Sequence, residues 1–225
     1  MELINKNTFL IRNRKLFPSN TYLYTNDTDN ECIIIDPGFD YELIKMMVEE
    51  RPLKPIAVIS THGHFDHVGG AAYLKNHFNI PFYLHEADLK ICKSANFYLK
   101  IAKVHQQIET PIPDYLFKGE YEKLLLGGFE LEVFNLPGHS PGSCVIKIKD
   151  NLFSGDILYK NGLGSGSIPR EDEKMLKHSI KKIFNIFNGE HRIFPGHGPS
   201  DFLDAIKNNN IELKKYLSED GIIND

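Results

Sequence analysis

Four apolar runs in this chain end alike, in a metal-competent side chain beside glycine. Ile56-Ala57-Val58-Ile59 leads into Ser60-Thr61-His62-Gly63-His64-Phe65-Asp66-His67. The run Leu131 to Leu136 ends in Pro137-Gly138-His139. Leu152-Phe153 leads into Ser154-Gly155-Asp156, and Ile193-Phe194 into Pro195-Gly196-His197. A buried strand fixes where its last backbone atom lies, and glycine lets the following turn bend sharply. Loops at one edge of packed sheets can then meet at one point. The pattern is expected of a fold that gathers four strand ends together.

The remaining patterns give the order of elements. Thr8 to Ile11 and Thr21 to Tyr24 read as strands, separated by Pro18-Ser19-Asn20. Residues 26–30 read as a hairpin turn into the apolar run Cys32 to Ile35. Asp40 is placed to cap a helix to about Glu50, with Leu43, Met46 and Met47 on one side. Val68 to Phe78 reads as a helix and Pro81 to Leu84 as a strand. Residues 85–93 and 95–108 read as helices, the second capped by Ser94, and Pro111 to Tyr121 as loop. Strands follow at Tyr121–Leu126, Phe129–Phe134, Cys144–Ile148 and Asn151–Phe153. A helix over 172–187, a strand at Arg192–Phe194 and a helix over 200–217 complete the chain, with Phe202, Leu203, Ile206 and Leu213 as core residues. The two halves read alike, strands, helix, strand, helix. That order fits a mixed-sheet α/β (α+β) sandwich with helices on its outer faces better than an alternating parallel fold.

At 225 residues, with 41% hydrophobic and 25% charged content, the chain is expected to form one domain spanning 1–225. A formal charge of −4 provides no basic field, so nucleic acid is not an expected partner. No apolar run reaches the roughly 18–20 residues that span a bilayer, and no membrane association is expected. Cys32, Cys92 and Cys144 are isolated and odd in number. Together with a start lacking the profile of a secretory signal, they point to a reducing, cytoplasmic setting.

His62, His64, Asp66, His67, His139, Asp156 and His197 are imidazoles and carboxylates, the donors that zinc, iron and manganese take. Seven exceed the four or five ligands of one ion. They suit two ions that share a carboxylate and keep room for solvent. His62 and His64, two apart in extended chain, can face one way. Asp66 and His67 lie past a bend and can face a second ion.

The ordered set His62-x-His64-x-Asp66-His67, His139, Asp156, His197 resembles the signature of the metallo-β-lactamase superfamily over roughly residues 20–200. The resemblance implies a four-layer αββα sandwich. It implies one ion at His62, His64 and His139, a second at Asp66, His67 and His197, and Asp156 bridging. Two divalent ions are implied, zinc first, with iron or manganese as the other candidates. Residues 137–143 and 154–159, with Leu163-Gly164, Ile168-Pro169 and Asp172, are similar to short glyoxalase II-like hydrolases. That likeness implies cleavage of a small-molecule thioester or ester by a hydroxide held between the metals, with Asp66 or Asp156 orienting it. Ser165 and Ser167 depart from the group, which usually has Arg and Asp there. Full-length glyoxalase II also has a C-terminal helical extension that helps hold glutathione, and here one helix follows His197. Tyr159 stands where lactonases of the superfamily carry a tyrosine, which keeps a lactonase reading open. Persulfide dioxygenases, with one iron on the same scaffold, are the other alternative.

Other polar residues have plainer readings. Asp36 is expected to be a buried brace for the metal loop. His77, His85, His105, His178 and His191 are expected in solvent or core roles, and Cys144 as a packed small hydrophobe. Lys174, Lys177, Lys181 and Lys182 read as a solvated helix face. Phe97, Tyr98, Tyr115 and Phe117 are divided between a pocket lid and core packing, and Tyr159 between pocket and packing.

Overall fold

The computed structural model describes residues 1–26, 30–164 and 171–218. Among these residues the strands form two sheets. The first runs β1 (Glu2–Asn5), β2 (Thr8–Arg12), β3 (Asn20–Thr25), β4 (Glu31–Ile35), β5 (Lys54–Ile59), β6 (Phe82–His85) and β7 (Tyr115–Phe117), in that spatial order. β1 to β4 pair antiparallel, and β4 to β7 pair parallel. The second contains β8 (Tyr121–Leu126), β9 (Phe129–Asn135), β10 (Cys144–Ile148), β11 (Asn151–Gly155), β12 (Arg192–Pro195) and β13 (Asp201–Phe202), in reverse order across the sheet. Only β11 and β12 pair parallel there.

The period of two along each strand sorts side chains between two layers. Ile33 and Ile35 of β4 enter the core between the sheets, where they join Phe129, Leu131 and Val133 of β9. Ile34 points the other way and packs with Ile44 and Val48 of α1 (Tyr41–Glu49) and Leu74 of α3 (Ala71–Phe78). On the second sheet Val145, Leu152 and Ile193 face outward. They pack under α6 (Glu173–Ile186), α7 (Leu203–Asn209) and α8 (Ile211–Ser218) through Leu176, Ile180, Leu203 and Leu213. The layers are helix, sheet, sheet, helix, as expected. Tyr22 and Asn20 of β3 reach across and donate to the Pro195 carbonyl, at 2.7 and 2.9 Å, which fixes one sheet on the other beside the strand ends.

Several local expectations are corrected. The helix expected from Val68 starts earlier, as the turn α2 (Phe65–Val68), and is broken at Gly69-Gly70 before α3. In α1 the buried face is Ile44 and Val48, and Met46 is exposed. Asp40 does not cap α1; its carboxylate accepts from the Arg14 and Lys15 backbone N–H groups. The helix expected over 85–93 is a 3₁₀ turn, Glu86–Asp88, followed by α4 (Leu89–Lys93). The helix expected over 95–108 stops as α5 (Ala95–Ile101), and Ser94 makes no side-chain cap. Lys103 turns left-handed, and the Asn96 amide holds the Ile108 backbone through two 2.9 Å hydrogen bonds, so the chain folds back. The expected loop 111–121 contains β7. The helix expected over 200–217 is divided by Asn210, whose carbonyl oxygen accepts from Leu213 N while its amide donates to Tyr159 and Gly162 carbonyls. Phe202 lies on β13 and is exposed, not core.

Cys32, Cys92 and Cys144 are free and buried, and Cys144 packs in the core between the sheets, as expected. No described helix is long and apolar enough to cross a membrane. The expected turn at 27–29 and the departures at Ser165 and Ser167 lie outside the described residues.

Candidate metal centre

The four strand ends meet along one edge of the sandwich. β5 delivers His62 and His64 in extended chain, and α2 then begins, so Asp66 and His67 leave from a helical turn. The His62 and His64 rings stand perpendicular, 4.7 Å apart. β9, β11 and β12 of the other sheet bring His139, Asp156 and His197. The approach is close: Gly155 has φ +50°, and a Cβ there would lie 2.2 Å from the Thr61 hydroxyl oxygen. No larger residue fits that turn.

Three groups result, each with ligand atoms within 4.8 Å of one another: His62, His64, His139; His62, His67, Asp156; and Asp66, His67, His197. Every group takes two residues from the first sheet and one from the second. Asp156 is central. Its Oδ2 lies 3.2 Å from His197 Nε2, 3.6 Å from His139 Nε2 and 3.9 Å from His62 Nε2, and its Oδ1 lies 3.4 Å from His67 Nε2.

Partners on the far side of the rings set which nitrogen faces the centre. His139 Nδ1 donates to the Gly164 carbonyl at 2.8 Å, and His197 Nδ1 to the Pro18 carbonyl at 2.6 Å. A carbonyl only accepts, so the proton is on Nδ1 and Nε2 is left for the centre. His67 Nδ1 lies 3.1 Å from Asp36, which also accepts from Thr61 N and Thr61 Oγ1 at 2.7 and 2.8 Å. Asp36 is thus a buried brace, as expected. A ring nitrogen held by a carbonyl or carboxylate behind the ligating one is the usual support of a metal-binding histidine.

Electrostatics divides the cluster. Burial drives the His62 imidazole far below its ordinary range, and burial with His139 beside it brings His64 down to about 4. Burial also opposes charge on His67 and His197, but Asp156 and Asp66 outweigh it. His67 is held well above the usual range and His197 near 10. Asp156 is pushed up by burial and down, by more, by His67 and His197. The carboxylates here gather positive charge.

The residues fit divalent metal ions. His62 Nε2, His67 Nε2 and Asp156 Oδ1 are buried without a hydrogen-bond partner, a costly arrangement that a cation would relieve. The donors are neutral imidazole nitrogen and carboxylate oxygen, the set that zinc, iron and manganese accept.

Residues 14–215 match the family model described as the metallo-beta-lactamase superfamily. The chain belongs to this superfamily. It is 34% identical over 202 residues to the hydroxyacylglutathione hydrolase GloC of Haemophilus influenzae, covering 86% of this chain and 92% of that one. A crystal structure of the BLEG-1 B3 metallo-beta-lactamase superposes with a TM-score of 0.83 at 31% identity, over 92% of this chain and 99% of that one. The di-iron-bound form of TTHA1623 superposes at 0.79 with 32% identity, over 90% and 98%. As a metallo-beta-lactamase superfamily member, the chain carries a histidine and aspartate cluster able to bind metal.

All seven residues singled out in the sequence come together, and Tyr159 lines the cavity above them. Its ring stands perpendicular to His197 at 5.9 Å, and burial, followed by the nearby Asp156 carboxylate, raises its phenol well above the ordinary range. Tyr98 lines the cavity too, whereas Phe97 and Tyr115 are exposed and Phe117 joins the core. His77 pairs with Glu49, His85 bonds the Gly119 carbonyl and His191 bonds Asn188, each in a plain structural role.

One residue had no signal in the sequence. Asp88 is fully buried and accepts from Gly63 N at 2.7 Å, Ser140 Oγ at 2.6 Å and Gly142 N at 2.7 Å. It ties the His62–His64 loop to the His139 loop. Within a segment that reads as helical it resembles an ordinary solvated aspartate. Only the fold brings its partners near.

Proposed function

We propose that the chain is a binuclear metal-dependent hydrolase that cleaves a thioester or small ester. His62, His64 and His139 would hold one ion and Asp66, His67 and His197 the other, with Asp156 between them. The observation that carries this reading is the three overlapping ligand groups, each spanning both sheets. The identity to GloC, a hydroxyacylglutathione hydrolase, supports the thioester class. Zinc is the proposed metal, with iron and manganese as alternatives; the di-iron form of TTHA1623 supports two ions.

Divalent ions in such a site supply a water acidic enough to be hydroxide near neutral pH and an electrophile for a carbonyl oxygen. The chain's own groups do the rest. Asp66, at 13% exposure the more accessible carboxylate, orients the attacking water and takes its proton. Asp156, at 7% and ringed by histidines, stays ionised and balances charge. Burial and Asp156 hold the Tyr159 phenol protonated, so it remains a donor for an oxygen that gains negative charge. The same donor would serve a lactone, and a lactonase is the alternative.

Elemental analysis with a panel of glutathione thioesters, lactones and persulfides tests the reading. Two metal ions per chain are expected, with thioester cleavage lost in both His62→Ala and Asp156→Ala. One iron per chain with oxygen consumption on a persulfide would overturn it.

A further inference from the structure

The cavity over the cluster has a volume of about 470 Å³, with a polar floor and an apolar wall. Phe17, Phe65, Tyr98, Ile101 and Leu163 form the wall. Three of them are fixed by the backbone that fixes the floor. Phe65 lies between His64 and Asp66. Leu163 precedes Gly164, whose carbonyl holds His139, and Phe17 precedes Pro18, whose carbonyl holds His197. The Phe17 and Phe65 rings pack at 4.8 Å, and Phe65 rests on buried Phe39. Tyr98 and Ile101 stand one turn apart on α5, and Ile101 is 60% exposed at the mouth. Among the described lining residues, the charged and titratable groups other than Tyr98 and Tyr159 are those of the floor itself.

An apolar surface held rigidly beside a reactive polar floor gains by being covered during turnover. Resting on the hydrolase reading above, we propose that the substrate carries an uncharged, apolar acyl group, seated against Phe17, Phe65, Tyr98 and Ile101. The acyl group is the part that remains joined to the carbonyl carbon throughout. Water adds to that carbon, the C–S bond breaks, and the products are a carboxylate, a thiol and one proton. Contacts to the acyl group therefore persist through attack and through departure of the thiol. A charged glutathionyl group is not required by this wall.

The test uses N-acetylcysteamine thioesters of acetyl, butanoyl, hexanoyl and octanoyl groups on the metal-loaded protein, with S-lactoylglutathione for comparison. Calorimetric titration with acetate and octanoate gives a readout independent of turnover. The expected result is a rise in kcat/KM of about fourfold per added methylene until the cavity is filled, the equivalent of ~0.8 kcal/mol for each buried methylene. Octanoate should bind more tightly than acetate. Ile101→Asp should lower the octanoyl-to-acetyl ratio at least tenfold, and Phe17→Ala should lower it as well. A flat series, or a ratio unchanged in both variants, overturns the proposal while thioester cleavage stands. Preferential octanoate binding that both variants weaken, without cleavage of any thioester, supports the apolar wall and overturns the reaction class. Absence of both turnover and preferential binding overturns the two together.

Discussion

Asp88 and Ser140, 52 residues apart, share a 2.6 Å hydrogen bond in the interior, where the same carboxylate also takes the Gly63 and Gly142 N–H groups. The bond joins the two loops that present His62, His64 and His139. Asp88→Asn keeps the size but sets an amide N–H against backbone N–H donors. The expected cost is about 1–3 kcal/mol in chemical denaturation, the penalty for an orphaned buried donor. Metal titration should show weaker binding at the His62, His64 and His139 group than at the group containing His67, which Asp36 still braces. A merely structural role would weaken binding at both groups equally.

Gly164 offers a second handle. Its carbonyl orients His139, and a Cβ there would lie 1.5 Å from the Asp156 carbonyl oxygen and 3.0 Å from His139 Nδ1. Gly164→Ala must displace one loop or the other. A fall of roughly 10- to 100-fold in metal affinity or activity is expected, the usual range for loss of a ligand's supporting partner. Metal analysis and steady-state rates measure it.

The pH dependence of the metal-free protein follows from His67 and His197. Both are raised in the folded state, His197 to about 10, against an unfolded value of about 6.5. A raised histidine contributes stability that is complete below the unfolded value and lost as pH climbs through the folded one. The metal-free protein should therefore lose stability progressively from about pH 6.5 towards 10. Asp156, depressed on folding, contributes stability that is lost as pH falls into the acid range. Melting curves with chelator across this range should show the decline, and saturating zinc should flatten it, since the ions replace the protons.

The core between the sheets depends on a cluster of rings. Phe153 stacks on Phe194 at 5.1 Å and meets Tyr22 and Tyr24 at 5.4 and 5.9 Å. Phe153→Ala is expected to cost about 3–5 kcal/mol in denaturant unfolding, as for other buried aromatics. It should also weaken metal binding, because Tyr22 holds Pro195 two residues before His197.

The seven candidate ligands were legible because each follows one of four apolar runs, a local pattern. Strands β2 to β6 and β8 to β12 followed from the same runs, and the sandwich with helices on its outer faces from the order of elements, whereas the short β1 and β13 were not read. What escaped were contacts made over long distances. Asn96 gripping Ile108 ended a helix whose periodicity continued, and Asn210 divided another by capping its second half. β7 joins its sheet in three residues, too few to give a pattern. Asp88 and Phe17 acquire their roles from partners that no neighbouring residue announces.

Because every ligand group draws on both sheets, the centre behaves as a clasp across a joint. Neither half of the chain completes a single group by itself. Residues that ripen as ligands do so only when the two sheets have docked, so metal uptake in this protein reports on assembly as much as on chemistry. An ion bound there would hold shut the one edge of the sandwich at which four strands run out.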